Sequence, residues 1–490
     1  MSVRVRYAPS PTGLQHIGGV RTALFNYFFA RSNGGKFILR VEDTDRERYS
    51  DESLQDLYDT LDWLGVKWDE GPVVGGPYGP YIQSERFAIY QEYAKKRVDM
   101  GKAYYCYCSA ERLEALRQKQ IEEKSPVQGY DGHCRDLTAE QRAELEARGI
   151  KPVIRLKVPR EGSTTFHDVL MGDITRENKD ISPDPVLLKS DGFPTYHLAN
   201  VIDDHLMGIT HIMRAQEWIP SGPLHVILYE AFGWEVPTYC HLPMVMGNDG
   251  HKLSKRHGST SVRDFRQKGY LPEALLNYVS LVGWSYDGEK EFFTREELEK
   301  CFSLEKINKA PGVFDYQKLD WFNAQYIRRK SDTELADLLM PYLKDAGLLD
   351  GHKLAYDRLV AFVPGIRDRI TLLSDIVPMC EFFKDQGEPD VALLIPKKMD
   401  AAGTLEALTN VYEVVKAGLD AGKDDEQLQQ DLMDLAQKMG IKNAGVFNPL
   451  RTAVTGMAVS PPPFSCIRLL GKDASYARIE RAIEVLKKNI

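Results

Sequence analysis

The sequence has 490 residues, with 71 acidic and 63 basic side chains and a formal net charge of −8. A length of this order suits roughly three domains of about 150 residues, and 43% hydrophobic with 27% charged residues is the make-up of an ordinary globular chain. Collagen-like, coiled-coil and wholly disordered chains are excluded; the acidic balance argues against a histone-like binder of nucleic acid, but RNA needs only a local basic surface. No run of about 18 apolar residues is present, so no membrane span is expected. The opening Met-Ser-Val-Arg lacks the apolar core of a signal peptide. Seven cysteines are an odd number and too few for a disulfide scaffold, so a reducing cytoplasm is the expected setting.

Along the chain, Val3, Val5 and Tyr7 alternate with Arg4 and Arg6, which predicts a strand with one polar face. A turn-rich stretch, Ala8-Pro9-Ser10-Pro11-Thr12-Gly13 and then His16-Ile17-Gly18-Gly19, leads into a helical segment from about Val20 to Arg31. Asn33-Gly34-Gly35 stops that helix, and Lys36 to Val41 reads as a second strand ending at Glu42-Asp43-Thr44-Asp45. This β-loop-α-β unit is the building block of an α/β, doubly wound parallel sheet. In such sheets ligands lie at the carboxyl ends of strands, and a Gly-rich helix entry favours an anion.

From Lys102 to about Ile181 the periodicity breaks up, with a charged helix at Ser109–Glu123 and a short strand at Val153–Val158. This reads as an α+β insertion, bounded as 102–190, in a catalytic domain of residues 1–330. Beyond residue 330 the pattern is helical: Ser331 or Asp332 caps a helix bearing Leu335, Leu338, Leu339 and Tyr342. The last segment sets Ile479, Ala482, Ile483 and Leu486 on one face. Residues 331–490 are therefore expected to be all-α.

Two motifs carry chemistry. His16-Ile17-Gly18-Gly19 sits at a strand-to-helix turn, where glycines let backbone and ligand approach closely. Lys252-Leu253-Ser254-Lys255-Arg256 puts three cations in five residues behind the turn Gly247-Asn248-Asp249-Gly250, an arrangement suited to clamping a polyphosphate. Taken separately, the first reads more simply as a tight loop with an incidental histidine and the second as a solvated basic loop. Taken with Arg6, Glu42, Thr195–Asn200 and Arg214-Ala215-Gln216-Glu217-Trp218, they resemble the class I aminoacyl-tRNA synthetases, specifically the bacterial glutamyl-tRNA synthetase family. HIGG is similar to that family's form of the HIGH signature, and KLSKR to its KMSKS signature. Arg-Tyr-Ala-Pro-Ser-Pro-Thr-Gly and Val-Glu-Asp-Thr-Asp also look like family segments.

The resemblance implies a Rossmann-like catalytic domain, an inserted acceptor-binding domain and a helical anticodon-binding domain. It implies ATP-dependent formation of glutamyl-AMP and transfer of glutamate to the 3′ end of tRNA(Glu), with Mg²⁺ accompanying ATP and held largely by phosphates and water. His16, Gly18 and Gly19 would hold the ATP phosphates. Lys255, helped by Lys252, Ser254 and Arg256, would stabilise the leaving pyrophosphate. Glu217 and Val245 would contact adenosine. For glutamate, Arg6 with Tyr196 would read the side-chain carboxylate and Arg214 the α-carboxylate, while Glu42 with Ala8 and Ser10 would receive the ammonium. Cys106, Cys108, Tyr130 and Cys134 match one zinc pattern of the family, with the fourth ligand open between Tyr130, His133 and Asp136. Arg367, Arg369 or Thr371 stand near the expected anticodon surface. A monomer is expected. The alternatives are a non-discriminating form that also charges tRNA(Gln) and, further off, a glutaminyl-tRNA synthetase.

Overall fold

In the computed structural model, which describes residues 2–45, 47–125, 128–348, 356–384 and 387–490, the first strand, β1 (Arg4–Tyr7), is followed by helix α1 (Ile17–Ser32) and strand β2 (Lys36–Leu39). β1 and β2 pair in parallel, closing the expected β-loop-α-β unit. The strand is not amphipathic: Val5, Arg6 and Tyr7 are all buried, so the arginine face of β1 also points into protein. Helix α1 is buried along most of its length through Val20, Ala23, Leu24, Phe25, Phe28 and Phe29.

Helices α2 (Asp51–Trp63) and α3 (Phe87–Asp99) come next, then β3 (Ala103–Cys106), α4 (Ala110–Glu122), α5 (Ala139–Ala147) and β4 (Val153–Leu156). They are followed by β5 (Ser163–Asp168), β6 (Gly172–Glu177), β7 (Val186–Leu188), α6 (Tyr196–Leu206), β8 (His211–Ala215), α7 (Gly222–Phe232), β9 (Thr238–Leu242) and β10 (Val245–Met246). Ser109 caps α4 by accepting from the Arg112 N–H, and Thr138 and Gln141 form a reciprocal capping box on α5. Neither α4 nor α5 buries a residue.

β8 and β9 run parallel, β9 pairs in parallel with β5, and β5 turns back antiparallel into β6. β1 lies beside β8: the Thr210 N–H donates to the Arg4 carbonyl and the Arg4 N–H to the Thr210 hydroxyl. The parallel pairs β1–β2 and β8–β9 are thus brought side by side from distant parts of the chain. The stretch 102–190 serves two sheets. β3, β4 and β7 make an antiparallel sheet of their own, whereas the β5–β6 hairpin extends the β8–β9 sheet. β10 pairs in parallel with β11 (Gly312–Val313).

The chain divides into two compact units, Met1–Arg266 with Leu275–Asp315, and Gln267–Ala274 with Tyr316–Ile490. The second unit begins ahead of residue 331. It is helical among the described residues, and Ser331 with Glu334 forms a capping box at the start of Asp332–Asp345. Its core is a continuous apolar cluster including Leu335, Leu339, Leu359, Phe362, Val411, Leu432 and Ile479. Among the described residues no helix is long and apolar enough to cross a membrane.

Candidate active site

The segments that carry the two motifs, some 240 positions apart, meet through their backbones a few residues beyond the 252–256 loop. The Ile17 N–H donates to the Thr260 carbonyl at 2.9 Å and the Val262 N–H to the Gln15 carbonyl at 3.0 Å. Asp56 on α2 reinforces this junction: one oxygen accepts from the Gln15 N–H at 2.7 Å, the other from Arg263 Nε at 3.0 Å. The 252–256 loop starts as the return arm of a hairpin on β10, with the Leu253 N–H donating to the Val245 carbonyl at 2.9 Å. Val245 itself is buried in β10. Gly247 is required here because a Cβ on it would stand 2.5 Å from the His257 ring. His257 holds the loop, its Nδ1 facing the Ser254 N–H at 3.1 Å and its Nε2 facing Asp249 at 2.8 Å.

His16 is the N-cap of α1. Its Nδ1 accepts from the Gly18 N–H at 3.0 Å. Burial, aided by the Lys252 charge, lowers its pKa, so the imidazole is neutral and carries its proton on Nε2. That leaves an N–H donor at the start of a helix whose dipole favours anions. Gly19 borders the cleft, and a Cβ there would lie 3.0 Å from Tyr7 Oη.

The cleft at the carboxyl ends of β1 and β8 has a volume of about 420 Å³. Its walls include Arg6, Ala8, Ser10, Gly19, Glu42, Tyr196 and Arg214. Every glutamate-contact residue named from the sequence therefore reaches one cavity. Arg6 is 4% exposed and forms a two-point pair with Asp204, at 2.9 Å through Nε and 3.1 Å through Nη2. Arg40 bridges Asp204 at 2.6 Å and Glu42 at 3.0 Å. Asp203 is bound by Arg86 at 2.7 Å, Tyr90 at 2.7 Å and Gln83 at 3.0 Å. Burial pushes the Glu42 carboxyl up against the opposing pull of Arg40, whereas Arg40 and Arg6 together hold Asp204 below the usual carboxylate range despite its burial.

Arg214 has a different setting. Its Nε donates to His241 Nε2 at 3.0 Å, Nη1 to Tyr196 Oη at 3.4 Å and His225 Nδ1 at 3.3 Å, and Nη2 to the Trp218 carbonyl at 3.4 Å. Burial drives the pKa of His225 and His241 down, and that of His197, bonded to His225, to about 4. Arg214 is thus surrounded by neutral rings.

Lys252 pairs with Glu217 at 2.8 Å, so two residues expected to meet ATP are bonded to each other. Arg256 pairs with Asp249 at 3.3 Å, and Lys255 opens the short 3₁₀ turn Lys255–His257. Among the thiols, Cys106, Cys108 and Cys134 place their sulfurs within 4.8 Å of one another. Tyr130 Oη lies 3.4 Å from Cys106 Sγ and 3.7 Å from Cys108 Sγ, while His133 and Asp136 are exposed. Hydrogen bonding to Cys134 pulls the Cys106 thiol down to about 4, and Cys134 is raised in return. In the second unit Arg367 pairs with Asp332, the Thr371 N–H donates to Asp375 at 2.8 Å, and Arg369 is exposed.

Sequence reasoning passed over Arg40, Asp203, Asp204, Asp168, His225 and His241. For Arg40 a signal existed: a charge inside the apolar run Phe37-Ile38-Leu39-Arg40-Val41 needs a buried partner.

A family model described as tRNA synthetases class I (E and Q), catalytic domain, matches residues 2–321, and one for an anticodon binding domain matches residues 334–483. The chain is 53% identical over 493 residues to the glutamate–tRNA ligase of Borreliella burgdorferi, with 100% of each covered. It is 53% identical over 505 residues to that of Treponema denticola and 47% identical over 488 residues to that of Dehalococcoides mccartyi, with 99% of each chain covered in both cases. A crystal structure of a glutamate tRNA ligase from Elizabethkingia meningosepticum in complex with its amino acid matches with a TM-score of 0.84 at 34% identity, over 99% of this chain and 100% of that one.

Proposed function

The chain belongs to the glutamate–tRNA ligases, within the E and Q branch of the class I tRNA synthetases, and from that premise we propose how its own residues carry the reaction. The enzyme joins glutamate to tRNA(Glu) at the expense of ATP, and the family's reaction uses Mg²⁺. In the first step a glutamate carboxylate oxygen attacks the α-phosphorus of ATP in line. The bond to the bridging oxygen breaks and pyrophosphate leaves. In the second, a ribose hydroxyl at the tRNA 3′ end attacks the activated carbonyl and AMP leaves. No protein nucleophile takes part, so the chain contributes position and charge.

Arg6, with Tyr196, takes the side-chain carboxylate and Arg214 the α-carboxylate; Glu42, with Ala8 and Ser10, takes the ammonium. The Nε2–H of His16 and the N–H groups of Gly18 and Gly19 meet the phosphates, and Glu217 and Val245 border adenosine. Lys255, supported by Lys252, Ser254 and Arg256, neutralises the departing pyrophosphate. The observation that carries this account is the convergence of Arg6, Glu42, Tyr196 and Arg214 on one cleft whose wall includes Gly19. Glutamine lacks the second carboxylate and would turn a neutral amide, with N–H donors of its own, toward the Arg6 guanidinium, which disfavours it.

The three thiols and the Tyr130 hydroxyl fit a four-coordinate Zn²⁺ of the thiolate-rich structural kind. Bound there, zinc would hold the loop containing Cys134 to the end of β3. The exposed α4 and α5, within the insertion, belong to the acceptor-binding part, and the helical unit reads the anticodon of a single tRNA bound by a monomer.

The test is charging. Purified protein with Mg-ATP, labelled glutamate and tRNA(Glu) is expected to give acid-precipitable label, and no label from glutamine. Absence of charging on tRNA(Glu) would end the residue-level account. Label on purified tRNA(Gln) would identify the non-discriminating form. Zinc reloading after metal-free purification is expected to give about one zinc per chain, and none in the Cys108→Ser protein.

A further inference from the structure

Asp168 ends β5, the strand that the β5–β6 hairpin brings against β9, and is fully buried. Its two oxygens are saturated. Oδ1 accepts from the Leu170 and Met171 N–H groups at 2.9 and 3.0 Å, and Oδ2 from the His241 N–H at 2.9 Å and His241 Nδ1 at 2.8 Å. An acceptor-only carboxylate facing Nδ1 obliges that nitrogen to carry the proton. Nε2 of His241 is then bare and accepts the Nε–H of Arg214 at 3.0 Å, the shortest hydrogen bond made by that guanidinium. The His241 ring is itself fixed, stacked on Tyr239 with centroids 5.6 Å apart and met edge-on by Phe166 at 5.8 Å.

We propose that Asp168 and His241 are positioning residues for glutamate recognition: the carboxylate sets the imidazole tautomer, and the bare Nε2 fixes the plane and reach of the Arg214 guanidinium in the cleft. The alternative tautomer would set a ring N–H against the Arg214 Nε–H, two donors face to face. A guanidinium has five N–H groups. Arg214 uses four of them on His241, His225, Tyr196 and Trp218, so its rotation determines which edge a substrate carboxylate meets. A neutral partner does this without reducing the arginine's charge, which a carboxylate in the place of His241 would do. The inference rests on the reading that Arg214 binds a carboxylate of glutamate.

The experiment compares steady-state aminoacylation of tRNA(Glu) by the full chain and four variants. His241→Phe keeps the volume and removes the acceptor. It is expected to raise the glutamate KM roughly 10- to 100-fold, the range for losing one hydrogen bond to a charged group, with the ATP KM changed less than about twofold. His241→Gln restores an acceptor oxygen near Nε2 and is expected to recover most of the loss. Arg214→Ala tests the underlying reading and should raise the glutamate KM at least as much. Adding His241→Phe to Arg214→Ala should then cost less than about twofold more. An Arg214→Ala enzyme with an unchanged glutamate KM would overturn the reading of Arg214. A large Arg214→Ala effect beside a silent His241→Phe, equal losses in His241→Phe and His241→Gln, or equal shifts in glutamate and ATP KM would overturn the positioning role. Should His241→Phe fail to fold, ¹⁵N-histidine spectra of the unaltered protein still decide. His241 protonated on Nδ1 is expected, and a proton on Nε2 would refute the proposal.

Discussion

The side chains proposed to meet glutamate, which line one cavity, and the 252–256 loop proposed to meet phosphate, which does not line it, are built on opposite principles. At the amino-acid end, Arg6, Glu42 and Arg214 are each no more than 5% exposed, and Asp204, Arg40, His225 and His241, on which they bear, are buried as well. At the phosphate end, Lys252 and Arg256 are 62% and 58% exposed, paired with Glu217 and Asp249 that are themselves about half exposed. Charges held in a low-dielectric shelf interact strongly and keep fixed directions, which is what discrimination between similar amino acids needs. Exposed charges on a loop are screened by solvent and separate easily from their partners, which suits groups that must meet and release a polyphosphate. Within the shelf a second contrast appears. The Arg6 charge is shared with Asp204, whereas Arg214 is held by neutral imidazoles.

The sharpest break of this comparison is Asp204→Asn. Removing one partner of a buried network leaves Arg6 and Arg40 uncompensated, and a loss of about 3–5 kcal/mol in unfolding free energy is expected, measured by urea denaturation. A loss below about 1 kcal/mol would mean that the shelf is not a coupled unit. Next in size is Lys255→Ala. Loss of one charge contact at the leaving group should slow adenylate formation roughly 10²–10³-fold while the glutamate KM stays within about twofold. A rise in the glutamate KM of the same size would show that the two ends are not separate.

A pH series sharpens the picture of the neutral cage. His197, His225 and His241 have folded pKa values below the usual 6.5, with His197 at about 4. The unfolded chain therefore binds protons near pH 6.5 that the folded chain refuses. Their contribution to stability is complete above that pH and is lost as pH falls toward 4. The urea midpoint should drop between pH 7.5 and pH 5, and the drop should be smaller in His197→Gln. The smallest effect belongs to the exposed end: Glu217→Gln, which breaks the pair with Lys252, should change stability by less than about 1 kcal/mol. A larger change would show that this loop is anchored more like the shelf.

Much of this could be read without coordinates. The alternation at Val3–Tyr7, the Gly-rich turn and the Asn33-Gly34-Gly35 stop are local signals; β1 and β2 formed where those signals stood, while α1 begins at Ile17, so Ile17, Gly18 and Gly19 belong to the helix and not to the expected turn before Val20. The HIGG and KLSKR segments stood out because their residue types are unusual together. Harder to read was the environment of each charge. Arg6 looked like the polar face of a strand because alternation assigns only two faces and says nothing of what covers each. Asp168 lay in a stretch read as insertion, yet its strand joins β9, and its partner His241 is 73 positions away.

The sequence by itself determined the element types, the two signature loops and the kinds of side chain proposed to face glutamate and ATP, because hydrophobic period, turn chemistry and motif spacing are properties of neighbours in the chain. Tertiary structure alone decided which charges are neutralised, which imidazole nitrogen bears a proton and which arginine has only uncharged hydrogen-bond partners. Those outcomes depend on burial and on partners brought together from distant parts of the chain, such as Arg6 and Asp204, 198 positions apart. The field at a site is the sum over groups close in space, and no local pattern encodes that sum.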